Sequence, residues 1–109
     1  SNGSKRLESS YLDNKKDGEW RYYFSDGKRR ELITYLNDKK LGRKIVWYTN
    51  ENKEKEMRYY NNILDGKFKE WYDNGQLRIS GQYDMGKKIG KWKYWYYDGK
   101  VRLINHHKH

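Results

Sequence analysis

The sequence predicts an all-β fold: an elongated, single, twisted antiparallel sheet built from about four tandem 24-residue β-hairpin repeats. Three observations predict it. Tyr11, Tyr35, Tyr59 and Tyr83 recur at a step of 24 residues, and Gly18, Gly42, Gly66 and Gly90 follow the same step with no insertion or deletion, which marks one supersecondary unit copied along an axis. The stretch after each glycine reads EWRYYFS, RKIVWYT, KFKEWYD and KWKYWYY, all strand-like in their aromatic and β-branched content, and Pro is absent. Each stretch is closed by a turn-forming pair: Asp26-Gly27, Asn50-Glu51, Asn74-Gly75 and Asp98-Gly99.

The elements follow in order. Residues 1–10 read as an N-terminal extension or capping strand, 11–34 as repeat 1, 35–58 as a divergent repeat 2, 59–82 as repeat 3, 83–105 as repeat 4 with a C-terminal cap, and 106–109 as a tail. The Asp-Gly and Asn-Gly pairs predict tight hairpins with positive φ at both central residues, and Glu51 predicts a turn in the second copy that is looser or of another type. Second strands centre on Glu31–Tyr35, Lys55–Tyr59, Leu77–Tyr83 and Val101–Ile104, where apolar residues alternate. A wider turn carrying Asn14, Asp38, Asn62 or Gly86 follows, and the repeating glycine reopens the next hairpin. That glycine is structural, through either a backbone angle closed to other residues or the close passage of a ring. Leu7–Leu12 would supply the first strand and Val101–Asn105 the last, for a length of about 40 Å.

Two aromatic rows arise from the first strands, Tyr23, Trp47, Trp71 and Trp95 on one side and Phe24, Tyr48, Tyr72 and Tyr96 on the other. Trp20, Phe68 and Trp92 are in phase with the second row, and Lys44 interrupts it. One row should form the packed spine and the other an open groove.

Composition bounds the function. Hydrophobic residues make up 34% and charged residues 37% of the chain, so the core is thin; five Trp, twelve Tyr and two Phe in register argue for order all the same. Without Cys there are no disulfides and no thiolate metal sites, and no stretch is apolar enough to span a bilayer as a helix. Ser1-Asn2-Gly3 reads as a vector remnant, which leaves the compartment open between the cytoplasm and a bacterial surface or secreted location reached with a since-removed signal peptide. The net charge of +10 favours acidic partners. Its excess is largest in 83–109, so positive potential should gather toward the C-terminal end rather than run as a continuous stripe.

The pattern Tyr-x-x-x-Lys-x-x-Gly-x-Trp-x-x-Tyr-Tyr-x-Asp-Gly-Lys in Tyr11 to Lys28, nearly repeated from Tyr83 to Lys100, resembles the MORN repeat variant, common in bacterial proteins including an antitoxin-like family. The resemblance implies antiparallel hairpins joined into one grooved sheet, with roles in scaffolding, protein binding or lipid head-group association. The second copy departs from it at Lys44, Val46 and Glu51-Asn52.

Catalysis finds little support. The histidines, His106, His107 and His109, fall in the last four residues, where a tail holds no base in fixed geometry, and the usual companions of a metal site are missing. No catalytic residue, metal ligand or cofactor is expected. Asp26, Asn74 and Asp98 are explained by turn hydrogen bonds. Basic residues interleaved with aromatics can stack on bases, but rings repeating with the fold period are committed to packing, which disfavours nucleic acid. The leading expectation is a non-enzymatic module that binds another protein, an acidic one by charge, through Tyr23, Trp47, Trp71 and Trp95 with Lys69 and Lys93. The alternative is peripheral attachment to anionic phospholipid head groups through Lys87, Lys88, Lys91 and Lys93. The chain would be a monomer or an end-to-end dimer.

Overall fold

A computed structural model describes residues 7–108; Ser1-Asn2-Gly3, the rest of 1–6, and His109 lie outside the described residues. The strands are β1 (Leu7–Glu8), β2 (Tyr11–Leu12), β3 (Lys15–Lys16), β4 (Gly18–Tyr23), β5 (Arg29–Leu36), β6 (Lys39–Trp47), β7 (Lys53–Tyr60), β8 (Ile63–Trp71), β9 (Leu77–Asp84), β10 (Lys87–Trp95) and β11 (Val101–His107). Nine of them form one antiparallel sheet in the order β1-β4-β5-β6-β7-β8-β9-β10-β11, and β2 and β3 pair separately. The sheet measures 43 × 32 × 10 Å. Nine strands at about 4.8 Å spacing give the long dimension, and strands of about nine residues give the second.

The two markers of the 24-residue step are cross-strand partners. Gly18 lies opposite Tyr35, Gly42 opposite Tyr59, Gly66 opposite Tyr83 and Gly90 opposite His107. These glycines do not reopen hairpins. Each full-length strand starts three residues earlier, at Lys39, Ile63 or Lys87, and the glycine sits inside it at a bulge: Ile33 pairs Lys44 while Tyr35 pairs Lys40, so two extra residues of β6 crowd one step of β5. Of the two explanations, the backbone angle is the right one. Gly42 has φ +85°, and an added Cβ there would meet nothing nearer than 3.9 Å.

The turns exchange the types expected of them. Asp13-Asn14, Asn37-Asp38, Asn61-Asn62 and Met85-Gly86 all have positive φ at both positions and close two-residue hairpins, as Leu36 opposite Lys39 and Tyr60 opposite Ile63 show. These are the tight turns, and adjacent Asn and Asp residues tolerate the left-handed region without glycine. The Asp-Gly sites are the longer ones. Phe24 N–H donates to the Lys28 carbonyl at 2.8 Å and Gly27 N–H to the Phe24 carbonyl at 2.9 Å, with only Gly27 at positive φ, which is a three-residue loop ending in a glycine bulge. Asp26 accepts the Lys28 amide at 2.9 Å and fixes the loop. The second copy is neither looser nor of another type. Tyr48, Glu51 and Asn52 make the same bonds at 2.8 and 3.0 Å, and Glu51 is held at φ +73°.

Both ends depart from expectation. The first strand is broken at Ser9-Ser10 into β1 and β2, and the Ser10 carbonyl turns to accept the Trp20 indole N–H at 2.9 Å. The last strand runs past Asn105: His106 pairs Lys91 and His107 pairs Gly90, so these two histidines are sheet residues rather than a tail. His107 stands 24 residues after Tyr83 and packs edge-on to Trp92, with ring centroids 6.3 Å apart.

The packed side of the sheet carries Trp20, Ile33, Tyr35, Met57 and Trp92, all buried. Tyr11 and Tyr35 flank Trp20 edge-on at 5.1 and 5.6 Å, and Phe68, Tyr83, Trp92 and His107 form a second run. Lys44 separates the two runs, lying between Ile33 and Met57 and paired with Glu31 at 3.3 Å. The Trp92 indole N–H donates to the Gln82 carbonyl at 3.2 Å, repeating the Trp20 bond 72 residues on. Its ring lies flat over Gly81, where a Cβ would sit 2.2 Å from Cδ2.

Two stability changes follow. Glu51→Gly relieves about 1–2 kcal/mol of left-handed strain against about 0.5–1 kcal/mol of added chain freedom, so Tm in a thermal melt should rise by a few degrees. Gly81→Ala forces the buried Trp92 ring off its seat, and overpacking of this kind costs about 1–3 kcal/mol; the same melt should show a fall in Tm of several degrees.

Candidate functional site

Strand alternation and the registers divide the side chains between an aromatic face and a basic face. The aromatic face is covered by its own cations. Lys16 Nζ lies 4.7 Å from the Trp20 ring and 4.9 Å from Tyr35, Lys40 Nζ lies 5.0 Å from Tyr59, and Lys88 Nζ lies 4.6 Å from Trp92. Burial raises the pKa of Tyr35 above its ordinary value, with the nearby Glu31 carboxylate adding to the effect.

The opposite face is built from three rows that cross the strands. One runs Arg21, Leu32, Ile45, Glu56, Lys69, Ser80, Lys93 and Ile104 through successive register partners. A second runs Tyr23, Arg29, Trp47, Lys53, Trp71 and Leu77 toward Trp95. The third holds Arg43 opposite Arg58, Lys67 opposite Gln82, and Lys91 opposite His106. Toward the N-terminal end the cations are engaged: Arg21 with Glu19, Arg43 with Glu56 at 3.8 Å, and Lys53 with Glu56 at 2.9 Å. Toward the C-terminal end they are not. Among the described residues, no carboxylate lies within 4.0 Å of Arg58, Lys67, Lys69, Lys91 or Lys93.

The row expected to bind lies on this basic face together with Lys69 and Lys93, but its rings are not an open aromatic groove. Trp47 is buried at 7% exposure, and Tyr23, Trp71 and Trp95 are half-buried. Arg29 covers Trp47 at 4.6 Å, Lys53 covers Trp71 at 6.0 Å, and Lys93 covers Trp95 at 5.4 Å. Exposed rings belong instead to Tyr11, Tyr60, Tyr96 and Tyr97. The second row ties neighbouring hairpins together, the Tyr48 hydroxyl donating to the Trp71 carbonyl at 2.6 Å and the Tyr72 hydroxyl to the Trp95 carbonyl at 2.7 Å. The four lysines of the lipid alternative do not share a face. Lys88 covers Trp92 on the aromatic face, while Lys91 and Lys93 are on the basic one with His106 and Ile104 opposite them.

Arg58 and Lys67 were missed by sequence reasoning. The signal was present in Lys67-x-Lys69 and Lys91-x-Lys93, spaced so that each pair shares a face. Segment charge hid it: residues 59–82 are neutral in sum, but Glu70 is spent on Arg78 at 3.2 Å, while Lys67 and Lys69 remain without a carboxylate partner. An open depression of about 300 Å³ between Arg21, Arg29, Leu32, Ile45, Trp47 and Lys53 carries no pairing of a nucleophile with a base. Among the described residues, no group of three or more His, Cys, Asp or Glu side chains is placed to hold a metal ion.

The profile of the MORN repeat variant matches residues 16–37, 64–85 and 88–109, together more than half of the chain. The chain belongs to that family. MORN repeats are interaction modules for proteins or membrane lipids, and the family is one of binding repeats rather than enzymes. The stretch between the first two MORN matches holds both Lys44 and Glu51. No curated protein matches the chain.

The raised Tyr35 pKa fixes a sign. A folded-state pKa above the unfolded value of 10.0 contributes stability that is complete below pH 10 and is lost as pH rises through the folded value. Denaturant melts should therefore show stability falling above pH 10, and Tyr35→Phe should flatten that fall.

Proposed function

We propose that this chain is a non-catalytic interaction module whose basic face docks an acidic protein. The observation that supports the reading is the run of Arg58, Lys67, Lys69, Lys91 and Lys93 without carboxylate partners, on a face whose aromatic row is already covered. Unpaired cations clustered on one side of a thin sheet keep their field directed outward, which steers an acidic surface toward them and gives it register. In this reading Lys69 and Lys93 are contacts. Trp47, Trp71 and Trp95 act as rigid seats for the cations above them, and Tyr23 marks the start of that row, with its hydroxyl bonded to Glu8.

A role among antitoxin-like or scaffolding proteins is compatible with this surface, since both need a rigid face more than a reactive centre. The second reading, attachment to anionic phospholipid head groups, draws on the same cations spread over a sheet 43 × 32 Å across. It is the weaker one because Lys88 is turned to the other face and, among the described residues, no helix is present to insert its apolar side.

Affinity capture with the intact chain and with the triple variant Arg58→Glu, Lys67→Glu, Lys91→Glu, followed by titration of the purified partner, separates the readings. The expected result is an acidic protein bound by the wild type and lost by the variant, with affinity falling as salt rises and an unchanged circular-dichroism spectrum. Equal binding by both forms, or tight binding confined to phosphatidylserine vesicles, would overturn it.

A further inference from the structure

The basic face has a periodicity finer than its overall charge. Lys67 and Lys69 lie on β8, and Lys91 and Lys93 on β10, with β9 between them. The β9 residues that share their face are neutral and polar. Ser80 has Lys69 on one side and Lys93 on the other; Gln82 has Lys67 on one side and Ile89 on the other, with Lys91 in the bulge that follows. Lys67, Lys69, Ser80, Gln82, Ile89 and Lys91 line a shallow cleft of about 290 Å³, and Lys93 borders it as the register partner of Ser80, its Nζ 5.4 Å from the Trp95 ring. Along a strand, alternate side chains are about 7 Å apart, and strands that flank a common neighbour are about 10 Å apart. A lysine stem spans half of the latter distance. Two Lys-x-Lys pairs therefore frame a trough with two anion positions, one over Ser80 and one over Gln82, spaced as alternate residues of an extended chain are spaced.

We infer that the ligand of this cleft is an extended peptide segment with acidic side chains at alternating positions, lying along β9 so that one carboxylate sits between Lys69 and Lys93 and the next between Lys67 and Lys91. The inference deepens the proposed docking of an acidic protein and rests on it. The Ser80 hydroxyl and the Gln82 amide supply neutral donors where each carboxylate arrives. A neutral floor matters: an acidic residue at 80 or 82 would hold the lysines in internal pairs, and a basic one would leave no room for a bridging anion. Alternation also sends the intervening side chains of the ligand away from the sheet, so those positions are free in sequence. Bilayer head groups offer negative charge at no fixed spacing.

The experiment uses two synthetic peptides of identical composition, one with Glu alternating with Thr and one with the same residues in a Glu block followed by a Thr block, titrated into the intact chain at physiological salt. The alternating peptide should bind about fivefold more tightly, the scale of one exposed ion-pair interaction made in register. Lys69→Gln and Lys91→Gln should each erase the preference, while Lys28→Gln, on a distant turn, should leave it intact. Equal affinity for the two peptides, or a preference that survives both substitutions, overturns the spacing inference and leaves the docking of an acidic protein standing. If neither peptide binds and the captured acidic partner is also indifferent to the charge-reversal variant, the docking reading falls with it. Vesicles containing phosphatidylserine serve as a third arm: binding to them with no response to either peptide overturns the inference in favour of a head-group surface.

Discussion

A sheet one layer thick has no second layer to bury against, and every other feature of this protein follows from that constraint. Most domains hide one face of a sheet beneath helices or another sheet. Here the thin dimension is 10 Å, and side chains must be covered by neighbours on their own face. Rings of Tyr and Trp meet edge-on across the strands, lysine and arginine stems lie over the ring faces, and indole N–H groups are satisfied by strand carbonyls. Aromatic residues suit the task because each buries a large area with few torsions to fix. Among the described residues only seven hydrophobic side chains are buried, so stability is spread over many local contacts in the manner of other one-dimensional arrays.

The same constraint explains why the irregular residues of the second copy are structural. Lys44 occupies the place of Trp20, Phe68 and Trp92, and its pairing with Glu31 carries it across a gap that a ring would fill. Glu51 occupies the place of three glycines and accepts the left-handed angle because the loop bonds on either side of it hold the chain. Both show how much local chemistry the repeat tolerates while its hydrogen-bond register is kept.

Function enters through what packing leaves over. The aromatic face consumes Lys16, Lys40 and Lys88 as covers, and the N-terminal part of the basic face consumes Arg21, Arg43 and Lys53 in ion pairs. Arg58, Lys67, Lys69 and Lys91 are left with neither a carboxylate nor a ring beneath them among the described residues, and Lys93 rests over Trp95 without a carboxylate partner; a flat surface with surplus charge of one sign is suited to recognition by complementarity. A family of binding repeats is consistent with this division of labour, in which each repeat contributes a copy of the scaffold and the differences between copies set the surface.

The sequence by itself determined the period, the all-β class, the number of hairpins and the places where the chain turns, because each rests on local preferences that repeat without insertion: rings at strand positions, Asn, Asp and Gly at turns, alternation within strands. It also contained the tyrosine position that His107 continues, visible only when the 24-residue step is carried to the end of the chain. Tertiary structure decided the rest. Which turn is tight and which is bulged depends on φ at two residues, and Asp-Gly and Asn-Asp serve either type until the strands fix their pairing. Which face is packed and which carries free cations depends on cross-strand neighbours that are far apart in sequence, such as Trp20 with Ile33 or Lys69 with Ser80. Bulges at the repeating glycines shift those neighbours by two residues, so alternation along one strand could not foretell which charges on the next would meet a partner.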